Sequence, residues 1–94
     1  MLANLSLQVI PINQENAYGV IDEALTIIKA SGIKHIVGPF STSLEGELDT
    51  LMDLVDQVRK TCFKAGANEL ILNIQIHLHK NKNATFEDKI EKWR

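Results

Sequence analysis

Leu70-Ile71-Leu72-Asn73-Ile74-Gln75-Ile76-His77-Leu78-His79 alternates apolar and polar side chains with a single exception, Ile71. Successive side chains of an extended backbone point to opposite faces. The pattern is therefore a two-faced strand, with Leu70, Leu72, Ile74, Ile76 and Leu78 on one side and Asn73, Gln75, His77 and His79 on the other. The start of the chain has the same character: Ala3, Leu5, Leu7 and Val9 alternate with Asn4, Ser6 and Gln8 until Pro11 removes a backbone donor. Two half-apolar strands at opposite ends of a 94-residue chain need a shared cover for their greasy faces.

Two helical stretches supply it. After the cap-rich run Asn13-Gln14-Glu15-Asn16, Val20, Ile21, Ala24, Leu25 and Ile28 recur at helical spacing, and Gly32 offers a left-handed stop. The second stretch is the clearest helix of the chain. It carries Leu48, Leu51, Met52, Val55, Val58 and Cys62 in one stripe, with Glu47 and Asp49 near the positive end of its dipole and Gly66 at its close. Between the helices, residues 33–37 are rich in β-branched side chains, Gly38-Pro39 is a bend or bulge signal, and residues 40–45 resume an extended pattern, which predicts a hairpin. After a polar turn over residues 80–84, Thr85 with Asp88 resembles a capping box. Phe86, Ile90 and Trp93 fall on one side of a short last helix, which Trp93 is expected to anchor.

The order strand, helix, strand, strand, helix, strand, helix fits an α+β chain. It predicts a ferredoxin-like βαββαβ sandwich with an antiparallel four-stranded sheet, first and third strands central, plus a C-terminal helix. Another two-layer α+β arrangement with a different strand order is the alternative. The length suits one domain over residues 1–94.

Composition narrows the function. Ten basic against twelve acidic residues lack the excess that tracks phosphates, and the expected open sheet face lacks the aromatics of RNA-binding sheets, so no nucleic-acid partner is expected. No run approaches the ~20 apolar residues of a membrane span, and the first residues lack a secretory signal. The single Cys62 sits in an apolar stripe and reads as a buried, reduced thiol, so a cytoplasmic location is expected. Phe40, Phe63 and Phe86 each stand where core packing explains them.

Parity places Asn4, Ser6, Gln8, Ser41, Ser43, Glu45, Asn73, Gln75 and His77 on the face away from the helices. Amides and hydroxyls both donate and accept, which suits the edge of a neutral heterocycle; a solvated or subunit-packed face is the plainer reading. His77 and His79 point the same way, yet no spaced third ligand supports a metal site. No oxyanion loop accompanies Ser41, Ser43 and His77, and no Gly-rich loop opens a helix for phosphate.

The stretch Gly38-Pro39-Phe40-Ser41-Thr42-Ser43-Leu44-Glu45-Gly46-Glu47 and its following helix resemble the small thiamine-binding protein family, related to the tandem-repeat YkoF-type proteins. Val9-Ile10-Pro11, Ala65-Gly66 and the closing Asp88-Lys89-Ile90 extend the resemblance along the chain. It implies a ferredoxin-like subunit that assembles into dimers and tetramers (a dimer of dimers). It also implies non-catalytic binding of thiamine or its hydroxymethylpyrimidine half, as carrier or sensor, with no cofactor. The motif brings over Thr42, Ser43 and Glu45 as ligand-site candidates, to which sheet parity adds Ser41, Ser6, Asn4, Asn73 and Gln75. Glu45 or Glu47 would neutralise the thiazolium cation. Strict alternation, however, puts Thr42 with Phe40 and Leu44 on the helix side. Either the Gly38-Pro39 bulge shifts the register or Thr42 serves from the other direction. A structural or regulatory oligomer that ignores thiamine is the alternative function, and a small hydrolase or metal-dependent enzyme the third.

Overall fold

A computed structural model describes residues 1–93. The alternating opening segment is strand β1 (Leu2–Pro11), which leads through Asn13, whose φ is 52°, to helix α1 (Ala17–Ala30). Asn16 caps α1 by accepting from the Gly19 backbone N–H at 3.2 Å, satisfying one donor that the first helical turn leaves free. Past α1 the chain turns through Gly32, whose φ of 74° costs a glycine little, into β2 (Lys34–Val37). The hairpin turn to β3 (Thr42–Glu47) closes with Gly38 N–H donating to Ser41 O at 2.9 Å. A side chain at position 38 would meet that same carbonyl at 2.8 Å, so the turn requires glycine.

Helix α2 (Leu48–Lys64) follows β3 directly, β4 (Leu70–His77) returns across the sheet, and α3 (Phe86–Ile90) runs into a 3-10 turn, Glu91–Trp93. The strands lie in the order β2-β3-β1-β4, each antiparallel to its neighbour, with the first and third central as the sequence predicts. The fold is the ferredoxin-like α+β sandwich.

One layer of side chains joins sheet to helices. Ala3, Leu5 and Leu7 of β1 and Leu44 of β3 meet Val20, Ala24 and Ile28 of α1 and Leu51, Leu54, Val58 and Cys62 of α2. At roughly 1.5–3 kcal/mol for each fully buried large side chain, this layer is the main favourable term holding the sandwich together. Register places Ile74 opposite Leu7 and Ile76 opposite Leu5, hence on the helix side. Yet Ile74 is 38% and Ile76 39% exposed, because β4 is an edge strand and the two helices lie over the middle of the sheet. Met52 and Phe63 flank the α2 stripe and are exposed. Of the three phenylalanines only Phe86 is buried, and Trp93 lies in solvent instead of anchoring the last helix.

Candidate functional site

The face of the sheet away from α1 and α2 collects the amides and hydroxyls that alternation assigns to it. Asn4 lies between Glu45 and His77, Ser6 between Ser43 and Gln75, and Gln8 beside Asn73. Some of these groups bond one another: Ser6 Oγ donates to Ser41 Oγ at 3.1 Å, and Asn73 Nδ2 to Gln8 Oε1 at 3.1 Å. The side chains of Ser43 and Gln75 have no hydrogen-bond partner among the described residues.

One end of this face is roofed by α3. Glu45, buried to 7% exposure, accepts from the Phe86 backbone N–H at 2.7 Å and from Asn4 Nδ2 at 3.3 Å through Oε1, while Lys34 Nζ lies 3.1 Å from Oε2. Asn4 Nδ2 also donates to Ala84 O at 3.0 Å, and Lys89 Nζ donates to Asn4 Oδ1. Lys34 bridges Glu45 and Glu87 and sits 5.4 Å from the centre of the Phe86 ring. Its hydrogen bonds to Glu87 and then Glu45 hold its ammonium pKa above the ordinary lysine value. Glu45 and Asn4 are thus engaged in docking the C-terminal helix. Thr85 completes the dock by capping α3, accepting from Asp88 N–H at 3.2 Å as the capping-box pattern predicts. Beneath the roof lies a cavity of about 440 Å³, bordered by Ser6, Ser43, Gln75, His77, Phe86 and Lys89.

Thr42 is elsewhere. It pairs with Leu7 on one side and Val37 on the other, so it shares the helix-facing side of the sheet with Leu7; the Gly38-Pro39 turn does not shift the register. Its residue is only 6% exposed, and its hydroxyl has no hydrogen-bond partner among the described residues. No fully sealed side-chain polar atom among those residues lacks a partner, so this hydroxyl reaches accessible space. That space is a second cavity, of about 270 Å³, between α1 and the β2–β3 turn. Leu7, Ile21, Leu25 and Val37 make apolar walls, and Tyr18 and Phe40, each 83% exposed, stand at its border. No charged residue among the described ones lines it. Ser41 belongs to both sides: it lines the Thr42 cavity and, with Ser6 and Asn73, a groove on the open face.

Tyr18 is a residue that reading the sequence for function passes over, and Phe40 falls to the core in that reading. The signal for Tyr18 is its helical spacing from Ile21 and Leu25, which puts the three on one flank of α1. An unpartnered hydroxyl on a buried residue, facing an apolar slot with two exposed aromatic rings, matches the general make-up of a small-molecule pocket: apolar walls and a few placed polar groups. For the histidines, His79 Nδ1 accepts from Asn81 N–H at 3.0 Å and His35 Nδ1 lies 2.8 Å from Ile33 O. No group of three metal-ligating side chains occurs among the described residues.

The thiamine-binding protein family matches residues 5–94. The chain belongs to this family. It is 33% identical over 92 residues to UPF0045 protein CPE1503 of Clostridium perfringens, covering 97% of this chain and 96% of the relative. Among solved structures, a Bacillus cereus domain of unknown function superposes with a TM-score of 0.94 at 36% identity, over 100% of this chain and 91% of that one. A Thermotoga maritima protein, named for a suggested part in thiamine biosynthesis or salvage, superposes with a TM-score of 0.91 at 29% identity, with 100% of both chains covered. Family membership supports a thiamine-related role, and no helix of the described residues is long and apolar enough to cross a membrane.

Proposed function

We propose that the protein binds thiamine without chemical turnover, seating the hydroxymethylpyrimidine half in the helix-side cavity against Thr42. The observation that carries this reading is the unpartnered hydroxyl of Thr42, a residue 6% exposed, in a slot that no charged side chain among the described residues lines and that Tyr18 and Phe40 edge. An aminopyrimidine is flat and presents an exocyclic donor beside ring acceptors; a hydroxyl meets either kind of group, and aromatic rings cover its faces. The cavity, about 270 Å³, has room for the pyrimidine ring and opens to solvent beside Tyr18 and Phe40. The thiazolium is then left at the mouth, where the faces of Tyr18 and Phe40 attract a cation. Neither Glu45 nor Glu47 lines this cavity, and Glu45 is engaged by Lys34 and the Phe86 backbone. Ser41 stands at the rim with its hydroxyl bonded to Ser6 on the open face, which Ser43, Asn73 and Gln75 also line, and Asn4 with Glu45 holds α3.

In this reading the chain works as a cytoplasmic homo-oligomer that carries or senses the vitamin. Calorimetric titration with thiamine, hydroxymethylpyrimidine and thiamine diphosphate tests it, on the natural protein, Thr42→Val and Ser43→Ala. Saturable binding of the first two ligands, weakened by Thr42→Val and indifferent to Ser43→Ala, is the expected result. The reverse pattern would move the site to the open face, and no binding at all would leave a structural or regulatory oligomer.

A further inference from the structure

The open face of the sheet carries two rows of polar side chains in register. Ser43, Ser6 and Gln75 lie side by side on β3, β1 and β4, and two residues along the same face Glu45, Asn4 and His77 form the next row. In the second row Glu45 and Asn4 are occupied in docking α3. The first row has no such duty. Ser6 bonds Ser41, while Ser43 and Gln75, like the ring of His77, have no hydrogen-bond partner among the described residues.

These free groups meet in the cavity of about 440 Å³ beneath α3. Ser6 and Ser43 are half-buried on its sheet side, His77 and Lys89 are exposed at its border, and the buried Phe86 supplies apolar surface. Its charge is one-sided. Lys34 is held by Glu45 and Glu87, whereas Lys89 pairs with no carboxylate among the described residues and donates instead to the neutral amide oxygen of Asn4. No Asp or Glu among those residues lines the cavity. An ammonium has three donors, so one bond to Asn4 leaves Lys89 able to hold an anion as well.

From this we infer that the cavity beneath α3 is a second ligand site, separate from the Thr42 cavity, which takes a small monocarboxylate whose apolar body carries a hydroxyl. Lys89 meets the carboxylate with a ring N–H of His77 beside it, Phe86 packs on the apolar body, and Ser43 and Gln75, which both donate and accept, take the hydroxyl. One ammonium balances one negative charge, so a phosphate dianion is poorly matched, and the same ammonium repels the cation of thiamine. The volume lies in the range of small-molecule pockets.

Amide NMR titration of the full chain with benzoate, 4-hydroxybenzoate and inorganic phosphate tests this site, with and without saturating thiamine. The titrations are repeated on Lys89→Met and on a double variant, Ser43→Ala with Gln75→Ala. The expected result is saturable shifts centred on residues 6, 43, 75, 77 and 86, tightest for 4-hydroxybenzoate, weakest for phosphate and unaltered by thiamine. Lys89→Met is expected to weaken both carboxylates about tenfold or more, the worth of a charge-assisted hydrogen bond. The double variant should bind the two carboxylates equally. No saturable shift, displacement by thiamine, or a Lys89→Met protein that binds as the natural one does overturns the site, and tighter binding of phosphate overturns its ligand class. Lys89 also touches Asn4, so if the amides of residues 84–86 show that Lys89→Met has released α3, the double variant decides, and an undiminished preference for 4-hydroxybenzoate there overturns the site. Failure to bind thiamine would sink the preceding proposal and leave this one standing.

Discussion

Glu45 Oε1 and the Phe86 backbone nitrogen lie 2.7 Å apart across 41 residues of sequence, and this bond ties the third strand to the last helix. The carboxylate supplies an acceptor to the first turn of α3, where backbone donors have no partner inside the helix. Removing it in Glu45→Ala leaves a buried N–H unpaired, so a loss of roughly 1–3 kcal/mol is expected in urea unfolding. Glu45→Gln retains an acceptor and loses only the pairing with Lys34, so it is expected to cost less. Thiamine affinity is expected to stay unchanged in both. Weaker binding with undiminished stability would return this carboxylate to the ligand.

Thr42→Val has the opposite signature. The hydroxyl makes no hydrogen bond among the described residues, and a methyl of similar shape is at home among Leu7, Ile21 and Leu25. Melting temperature should hold or rise. Thiamine affinity should fall by roughly two- to tenfold, the worth of one neutral hydrogen bond of ~0.5–1.5 kcal/mol, as read by calorimetry.

Tyr18→Ala and Phe40→Ala remove rings that are largely in solvent, so each should change stability by no more than about 0.5 kcal/mol. If the rings cover the ligand, each should weaken binding by about 0.5–1.5 kcal/mol. Two variants that bind thiamine as the natural protein does would separate these aromatics from the site.

Thiamine diphosphate is expected to bind no more tightly than thiamine. Among the described residues no Lys, Arg or His lines the Thr42 cavity, so added phosphates gain no charged partner there. Competition calorimetry reads the order of affinities; a preference for the diphosphate without added metal would contradict the placement.

Cys62 is buried in the α2 stripe, and desolvation pushes its thiol pKa above the ordinary value. A thiol whose pKa is higher folded than unfolded contributes stability below the unfolded value and loses it as pH rises through the folded one. Reaction with a thiol reagent at neutral pH should therefore be slow in the native protein and fast in urea. Unfolding midpoints should decline as pH is raised beyond the usual thiol range. Rapid labelling of the native chain would mean that α2 opens.

Alternation in β1 and β4, the helical stripes and the turn residues carried the fold, because each is a local pattern with a fixed period. The same patterns misjudged Met52, Phe40, Phe63 and Trp93, all exposed. Hydrophobicity and spacing say which face a residue takes; how far the opposing layer extends over that face is a property of the assembled sandwich. The candidate site was legible in part. Alternation put Thr42 with Phe40 and Leu44 on the helix side, against its grouping with Ser43 and Glu45 in the motif, and the β1–β3 register, which pairs Thr42 with Leu7, agrees with alternation.

By itself, then, the sequence determined the element order, the strand faces, the capping of α3 by Thr85 and the conflict over Thr42. All of these depend on near neighbours along the chain. Only the tertiary structure decided that Glu45 serves the last helix, that Tyr18 meets Thr42 across a cavity, and that β4 stands at an open edge. Each of those relations joins residues 24 or more positions apart, or depends on which strand has no neighbour. No local period encodes either, because both arise from packing one layer on another.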